Sequence, residues 1–376
     1  MLAASARAGN PRNLGVSRGR GGLYAEGMAV RERERNRCRE RLETLAGGGV
    51  DSDEARREAI GVLRRAVGFE RWCWPLTDPG SALSTGGIAE FDLWAELPRI
   101  AVLEEHGDLT SKPELVVGRR ASVTLSAATR GDLSRSRRWH ECLRPHGVGD
   151  ELMTACRDRH GCWGSVELMR DSDDPPFDEA DADLLHELAP LLGTLLRRRA
   201  PSARVADDAR PLAPATLILD EGLRPRSWTV TFHDWCAELG GGELLPPAVY
   251  EIGTRVRASS SATHGLPASV RIPTRAGLWA VLEGAALEGA AHGQVALTIR
   301  AASPSEVFDL LCKVYELTRR ERELVALVLE GLATKQLAAA LGISAYTVQD
   351  HLKAIFAKTR ARNRLELVSQ LAGRRQ

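Results

Sequence analysis

A set of polar, small and basic residues near the C-terminus is spaced so that one face of a helix would carry all of them. The set comprises Tyr346, Thr347, Gln349, Asp350, Lys353, Ala354 and Lys358. Hydroxyl, amide and ammonium groups can hydrogen-bond to phosphate oxygens and to base edges. These residues therefore suggest nucleic-acid recognition. The alternative is the solvent-exposed face of an ordinary three-helix domain.

Three short helices would position this face. Thr318-Arg319-Arg320-Glu321 fits a capping box, so the first helix should begin at Arg319. Thr334 can cap a second helix, which Gly342 would end because a left-handed residue without a Cβ costs least there. Ser344 is a strong N-cap for the third helix. The buried faces should contain Leu324, Leu327, Val328, Leu332, Leu337, Ala338, Leu341, Val348, Leu352, Ile355 and Phe356. So tight a turn between the last two helices is typical of a helix-turn-helix, with the third helix as recognition helix.

The same stretch resembles the LuxR-type DNA-binding domain of bacterial transcription regulators. The matching residues are Leu317-Thr318, Arg320 to Glu323, Gly331 to Ala338, Leu341 to Ser344, Thr347-Val348, His351-Leu352, Ile355-Phe356, Lys358-Thr359 and Arg362 to Arg364. The resemblance implies that Lys335, Ser344 and Thr347 contact phosphates, and that Gln349, Asp350 and Lys353 face the major groove. Tyr346, Lys358 and Arg364 complete the predicted DNA-binding set.

Two positions depart from the family pattern. Gln349 and Asp350 stand where the family commonly has Lys and an apolar residue. Glutamine favours adenine, and a carboxylate can accept a hydrogen bond from cytosine. We therefore expect an operator that differs from those of better-known relatives.

The distribution of charge agrees with a DNA-binding C-terminus. Residues 316–376 contain 11 Lys and Arg against 6 Asp and Glu, a net charge of +5. The whole chain has a net charge of +1, so the other 315 residues have −4. Positive charge gathered in one small region is the electrostatic signature of a DNA-binding domain.

The length of 376 residues predicts several domains. We expect a disordered or charged segment at 1–50, a sensory domain at 51–200, a second one at 213–302 and the DNA-binding domain at 303–376. Gly, Ala and Arg dominate residues 1–27, which predicts disorder, and Met1 or Met28 could be the start. Ala29 to Leu45 alternates Arg and Glu and predicts a solvated helix.

The first sensory domain should be a mixed α/β unit. Residues 72–76 predict a strand, and residues 151–156 and 162–169 predict a hairpin. Pro176-Phe177-Asp178 should open a long apolar helix. This order resembles the end of a GAF domain.

The second unit resembles a PAS domain. A strand at 216–220 precedes two helices, and three apolar runs at 268–273, 278–282 and 294–299 predict an antiparallel sheet. GAF and PAS folds bind small molecules between helices and one face of the sheet, although many members bind nothing. An unidentified small-molecule signal is therefore a hypothesis.

Other kinds of site find little support in the sequence. His140, Cys142, His146, Cys156, His160 and Cys162 lie within 23 residues, but none shows zinc-type C-x-x-C spacing. Neither metal nor cofactor is predicted. Motifs such as H-E-x-x-H and Gly-x-Ser-x-Gly are missing, so we do not expect an enzyme. Seven cysteines without regular spacing, and no long apolar run, suggest a cytoplasmic protein with no membrane partner.

The sequence thus predicts an α+β multidomain protein with a GAF-like α/β domain, a PAS-like α/β domain and a C-terminal all-α tetrahelical helix-turn-helix domain. It should regulate transcription by binding double-stranded DNA as a homodimer and acting on RNA polymerase. A helix from Ser305 to Tyr315 is the expected coupling element. Two alternatives stay open. One is a sigma-like RNA polymerase subunit; the other is a haem, metal or small-ligand sensor that acts through protein contacts.

Overall fold

The computed structural model describes residues 21–49, 51–91, 93–105, 107–200, 212–240, 245–258, 266–289 and 292–372. Within them the chain forms two five-stranded antiparallel sheets, followed by a group of short helices. Residues 1–20, for which disorder was predicted, and residues 201–211, between the two predicted sensory domains, lie outside the described residues.

The first sheet contains β1 to β5 in the order β2-β1-β5-β4-β3. The strands are β1 (Arg71–Thr77), β2 (Ser84–Ala89), β3 (Ser122–Thr124), β4 (Val148–Asp158) and β5 (Gly161–Asp171). The predicted hairpin is confirmed, but both strands are longer than the apolar runs that revealed them. They pair as far as Asp158 and Gly161, and only Arg159 and His160 remain as the turn.

Helices cover both faces of this sheet. They are α1 (Gly21–Gly47), α2 (Ser52–Val67), α3 (Leu97–Glu105), α4 (Lys112–Val117), α5 (Leu125–Thr129) and α6 (Glu179–Arg197). The helix predicted after Phe177 is confirmed as α6, and Asp178 caps it by accepting the N–H of Asp181 at 2.8 Å. Helices α1, α2 and α6 contribute to one hydrophobic core with Trp74 and Leu168 of the sheet.

Helix α1 differs from the prediction for residues 1–50. It already includes residues 21–27, for which disorder was predicted. Its second half is not a solvated entry helix, because Cys38, Leu42 and Ala46 are buried against α2 and α6. Burial of Cys38 and Ala46 was not predicted, because the many Arg and Glu residues around them interrupt the apolar pattern. Burial of one small cysteine and one alanine beside Leu42 and Leu45 suffices to pack a helix that is charged on its other sides.

The second sheet has the same strand order as the first. Its strands are β6 (Ala215–Leu219), β7 (Pro225–Trp228), β8 (Ser269–Pro273), β9 (Trp279–Ala286) and β10 (Val295–Ala301), in the order β7-β6-β10-β9-β8. Helices α7 (Phe232–Glu238) and α8 (Pro247–Ala258) complete the unit. The three predicted apolar runs are confirmed as β8, β9 and β10. The edge strand β7 was not predicted, because all of its residues are exposed and show no alternation.

The two sheet units share an interface that the sequence did not predict. Asp78 after β1 accepts hydrogen bonds from Arg271 of β8, with Oδ2 2.8 Å from Nε. Arg255 of α8 donates to the carbonyl of Ser81 at 2.7 Å. Leu83 is 1% exposed and belongs to the core of the second unit. The loop between β1 and β2 therefore joins the two units.

Five helices form the C-terminal region: α9 (Pro304–Val314), α10 (Arg319–Leu329), α11 (Thr334–Leu341), α12 (Ala345–Thr359) and α13 (Arg364–Ala372). The capping box at Thr318 and Glu321 is confirmed. The predicted cap at Thr334 is wrong. Ala333 is the N-cap residue, and its N–H donates to Gln336 Oε1 at 2.7 Å, which replaces a side-chain cap. Gly342 ends α11 with φ of 64°, as predicted.

None of the helices in the described ranges is both long enough and apolar enough to cross a membrane.

The junction between β10 and α9 predicts a specific response to acid. Arg300 Nη2 lies 2.6 Å from Glu306 Oε1, and the N–H of Ser303 donates to Glu306 Oε2 at 2.7 Å. The hydrogen bond from Arg300, despite partial burial, lowers the pKa of Glu306 to about 2. A carboxyl with a lowered pKa in the folded state adds stability above its unfolded pKa, and that stability is lost as the pH falls.

We therefore expect Glu306→Gln to make the fall in stability between about pH 5 and about pH 3 less steep. Urea unfolding followed by circular dichroism at several pH values measures this. Glu330→Gln, at an exposed acid directly after α10, is the control and should keep the parental pH dependence. An unchanged slope in Glu306→Gln would show that the ion pair does not contribute.

Candidate nucleic-acid interface

The start of α12 is fixed by its own cap. Ser344 Oγ accepts the N–H of Thr347 at 3.0 Å, and the two hydroxyl oxygens lie 2.9 Å apart. A cap of this kind satisfies one of the free amides in the first turn and orients the others outward. The positive end of the helix dipole then lies beside two hydroxyls, which together suit a phosphate oxygen.

The inner face of α12 is determined by packing. Val348 and Ile355 are fully buried in the same core as Leu324 of α10 and Leu337 of α11. Thr359 donates to the carbonyl of Ile355 at 2.9 Å near the end of the helix. Because these residues fix the rotation of α12 about its axis, they also determine which residues face outward.

The outer face of α12 contains most of the predicted DNA-binding residues. Tyr346 is 75% exposed, and the Lys353 side chain is 74% exposed. Gln349 and Asp350 are exposed on the same helix, and Lys335 is exposed on α11. Lys353 Nζ lies 3.7 Å from Asp350 Oδ1. An exposed pair at this separation contributes well under about 1 kcal/mol, so Lys353 can exchange this partner for DNA at little cost.

Lys358 and Arg364 lie in a different environment from the rest of that set. Lys358 Nζ is 2.6 Å from Glu321 Oε2 and donates to the carbonyl of Glu316 at 3.2 Å. Arg364 donates to the carbonyls of Leu332 and Val328. These contacts attach α12 and α13 to α10. Sequence spacing alone could not show this, because Glu321 is distant in the chain and was identified only as a capping residue.

Glu321 shows how strongly Lys358 is engaged. The carboxyl is 4% exposed, and burial alone would raise its pKa. Hydrogen bonds from Lys358 and from the N–H of Thr318 outweigh burial and hold the pKa of Glu321 below its ordinary value. Loss of Lys358 would leave the buried carboxylate of Glu321 without its cation and would destabilise the fold.

Two further arginines are also used within the domain. Arg320 donates to the carbonyl of Leu341, and Arg322 Nε donates to the carbonyl of Leu317 at 3.0 Å. The net charge of residues 316–376 therefore overstates the charge available to a partner. Part of the basic side chains satisfies carbonyls at helix ends, as C-terminal cations commonly do.

A residue that sequence analysis did not single out connects this region to the first sheet unit. Glu316 follows α9 with φ of 53°, a left-handed conformation that is unfavourable for a residue with a Cβ. Its carboxylate lies 2.7 Å from Arg197 Nη2 of α6 and 2.8 Å from Arg159 Nη2 of the β4–β5 turn. Burial would raise the pKa of Glu316, but Arg197 and Arg159 outweigh it and lower the pKa.

The cysteine and histidine cluster does not converge. Among the described residues, no group of three or more His, Cys, Asp or Glu side chains could hold a metal ion. Cys156 and Cys162 are buried in separate hydrophobic clusters, and burial raises the pKa of both thiols. His140 and His146 are exposed. Both strand cysteines therefore lie inside the protein as small apolar residues.

Comparison with known proteins assigns the C-terminal helices. The profile of a family described as "Bacterial regulatory proteins, luxR family" matches residues 315–371. A monoamine regulon transcriptional regulator of Klebsiella aerogenes is 54% identical over 54 residues, which cover 14% of this chain and 24% of that protein. The transcriptional regulatory protein DesR of Bacillus subtilis is 34% identical over 71 residues, 19% of this chain and 36% of that protein. The chain thus spans about a quarter of the length of its first curated relatives.

Solved structures give weaker likenesses. Escherichia coli SdiA aligns over 89% of this chain and 96% of its own, with 11% identity and a TM-score of 0.33. The GAF domain of A. aeolicus nlh2 in an inactive state aligns over 45% of this chain and 99% of its own, with 10% identity and a TM-score of 0.28. These TM-scores are too low to carry an argument about fold or function.

The Glu316 contacts predict that the helix-turn-helix is held against the first sheet unit by charge. Glu316→Gln should remove about 1 kcal/mol of local stability, because Arg197 keeps its second partner, Asp158, at 2.6 Å. Amide exchange of Leu317, whose N–H bonds to the Cys312 carbonyl, should become several-fold faster. Hydrogen exchange with mass spectrometry measures this.

Glu330→Gln, an exposed acid at the other end of α10, provides the matched control and should leave exchange near Leu317 unchanged. Equal protection in Glu316→Gln and the parent would mean that the ion pairs do not hold the α9–α10 connection.

Proposed function

We propose that this protein is a transcriptional regulator in which two α/β sensory units control a LuxR-type helix-turn-helix that binds DNA as a dimer. The observation that carries the proposal is the exposed outer face of α12, within the residues that the family profile matches. The relatives named above are themselves described as transcriptional regulators. Double-stranded DNA is the ligand that this polar and basic face fits.

The roles of the individual residues follow from their surroundings. Ser344 and Thr347 would bind a phosphate at the start of α12, and Lys335 would contact the backbone from α11. Gln349, Asp350 and Lys353 would face base edges, with Tyr346 at the rim of the contact. We assign Lys358 and Arg364 to packing within the domain, because both side chains contact protein acceptors.

The remaining parts of the proposal concern the rest of the chain. Residues 51–200 would be a GAF-like unit, joined on one side by α1, and residues 213–302 a PAS-like unit. Helix α9 in 303–376 would transmit changes, because Arg271 of β8 donates to the carbonyl of Glu306 at 3.0 Å. The regulator would act on RNA polymerase in the cytoplasm.

Replacement of Lys353 tests the DNA-binding face. Lys353→Ala should weaken binding to the selected operator by about 1–3 kcal/mol and relax preference at one base position. We would select random duplexes with the full-length protein, then measure affinity by fluorescence anisotropy over a salt series. Lys313→Ala, at a lysine of α9 that lies 3.4 Å from Asp309, is the matched control and should bind like the parent.

If Lys353→Ala weakens binding to all DNA sequences equally and lowers the slope of log affinity against log salt concentration by about one, Lys353 contacts a phosphate rather than a base. Failure of the full-length protein to enrich any duplex would overturn the proposed function.

An exposed apolar residue of α13 is the candidate contact in the proposed dimer interface. Leu367 and Leu371 are buried in the domain core, whereas Leu365 is 68% exposed. If two domains meet there, Leu365→Glu should shift the protein from dimer to monomer and lower operator affinity by about tenfold or more. Sedimentation velocity measures the first effect. Val117→Glu, at a valine of α4 that is 58% exposed, is the control. A dimer that persists in Leu365→Glu would place the interface elsewhere.

A further inference from the structure

A cavity of about 240 Å³ lies where the two sheet units meet helix α9. Its lining comes from α2, β1, β2, β5 and α6 of the first unit, from β8 and β9 of the second unit, and from α9. Ligand sites occur preferentially at boundaries between domains. A molecule in this cavity would contact both sheet units and the helix that leads to the DNA-binding region.

Two tryptophans and several aliphatic side chains make most of the lining apolar. Trp163 of β5 is 4% exposed, and Trp279 of β9 is 9% exposed. Leu196 of α6 and Leu310 of α9 line the same cavity, and all four residues belong to one hydrophobic core. Trp279 thus packs with the first unit and α9 rather than in the core of its own sheet unit. Because indole rings make favourable stacked and edge contacts with other rings, this lining favours an aromatic ligand.

The charged side chains on the lining are already engaged within the protein. Asp78 accepts hydrogen bonds from Arg271, with Oδ2 2.8 Å from Nε and Oδ1 2.5 Å from Nη2. Asp53 Oδ1 lies 2.6 Å from Arg56 Nη2. Arg199 donates to backbone carbonyls at 3.1 Å. A charged ligand would have to compete for these contacts or stay uncompensated in a largely apolar site, which is costly. The lining therefore favours a neutral ligand.

The two indole N–H groups on the lining differ in how they are used. Trp163 Nε1 donates to Asp158 Oδ1 at 3.0 Å. The carbonyl of Trp279 accepts the N–H of Ala302 at 2.7 Å, but the described residues contain no partner for its indole N–H. An indole N–H can only donate, and buried donors are normally paired. A ligand with a hydrogen-bond acceptor would supply the partner.

The volume of the cavity limits the size of the ligand. An apolar cavity of about 150 Å³ can bind benzene. The larger space of about 240 Å³ has room for two fused rings. Two half-buried hydroxyls on the lining, those of Ser52 and Thr85, can donate to or accept from further polar groups of such a molecule.

We propose that this cavity binds a neutral aromatic molecule of two fused rings, which accepts a hydrogen bond from the indole N–H of Trp279. Its rings would lie against Trp163, Leu196 and Leu310. The inference rests on the sensory role proposed for the two sheet units and names the chemical class of a ligand. Because α9 supplies part of the lining, a bound molecule would act directly on the helix before the DNA-binding region.

The test uses full-length protein without DNA, and four bicyclic probes of similar size. Quinoline is neutral and has an acceptor nitrogen, naphthalene has no acceptor, N-methylquinolinium is a cation and 1-naphthoate is an anion. Isothermal titration calorimetry and thermal unfolding, at matched ionic strength and a pH at which quinoline is neutral, should show the tightest binding and the largest stabilisation with quinoline.

Two variants test the position of the site. Trp279→Phe keeps a ring but removes the N–H, and should weaken quinoline binding by about three- to tenfold. Thr85→Phe places a ring in the cavity and should abolish binding. Trp228→Phe is the matched control, because it also removes an indole N–H, at a tryptophan of β7 that is 47% exposed and not on the lining. It should bind quinoline like the parent.

Equal binding of naphthalene would overturn the hydrogen bond to Trp279, and tighter binding of N-methylquinolinium or 1-naphthoate would overturn the neutral ligand. Absence of both heat and stabilisation with millimolar quinoline, or parental affinity in both variants, would overturn the site. If Thr85→Phe does not fold, the comparison of Trp279→Phe with Trp228→Phe decides. Operator selection by the same preparation is scored separately. An operator without quinoline binding would overturn this site alone, and quinoline binding without an operator would overturn the proposed function alone.

Discussion

The arrangement of this protein depends on Arg197, the last residue of α6, which is 3% exposed. Its guanidinium bonds to Asp158 of β4, to Glu316 and to the carbonyl of Val314. A buried guanidinium requires several acceptors in its plane, and here they come from the first sheet, from the last residue of α9 and from the turn that follows it. The helix-turn-helix is therefore positioned by the end of α6, the last helix of the first sheet unit. The left-handed conformation of Glu316 is tolerated because these contacts offset its cost.

Buried contacts of charged side chains also join the helices within the helix-turn-helix. Arg320, Lys358 and Arg364 satisfy acceptors of neighbouring helices, and each links α10 to a different one of α11, α12 and α13. A small helical region has little apolar area of its own, so polar connections between helix ends add to its rigidity. The outward basic residues, among them Lys335 and Lys353, are then fewer than the composition suggests. In the proposed complex with DNA, exposed polar groups such as Gln349 would therefore contribute a larger share of the contacts than in a more basic domain.

The residues differ in how well the sequence predicts their placement. The caps at Thr318 and Ser344, the stop at Gly342 and the buried face of α12 were predictable, because they depend on neighbours within four residues. The contact of Lys358 with Glu321 was not predictable in the same way, because the two residues are 37 positions apart. The contacts of Glu316 with Arg197 and of Glu251 with Ser84 were beyond prediction. They join residues separated by more than a hundred positions, and a periodic pattern has no information about such distances.

The long-range contacts also form a continuous path through the molecule. Glu251 holds Ser84 of β2, and the loop before β2 contains Asp78, whose carboxylate binds Arg271 of β8. Arg271 in turn donates to the first turn of α9, at the carbonyl of Glu306. A change in the charge of Glu251 would alter its hydrogen bonds with Ser84. The loop that contains Asp78 would then change position. Because Asp78 and Arg271 are largely buried, we expect their ion pair either to stay intact or to break completely, rather than to lengthen gradually. The path from Glu251 to α9 thus passes through the Asp78–Arg271 ion pair, which links both sheet units to the first turn of α9.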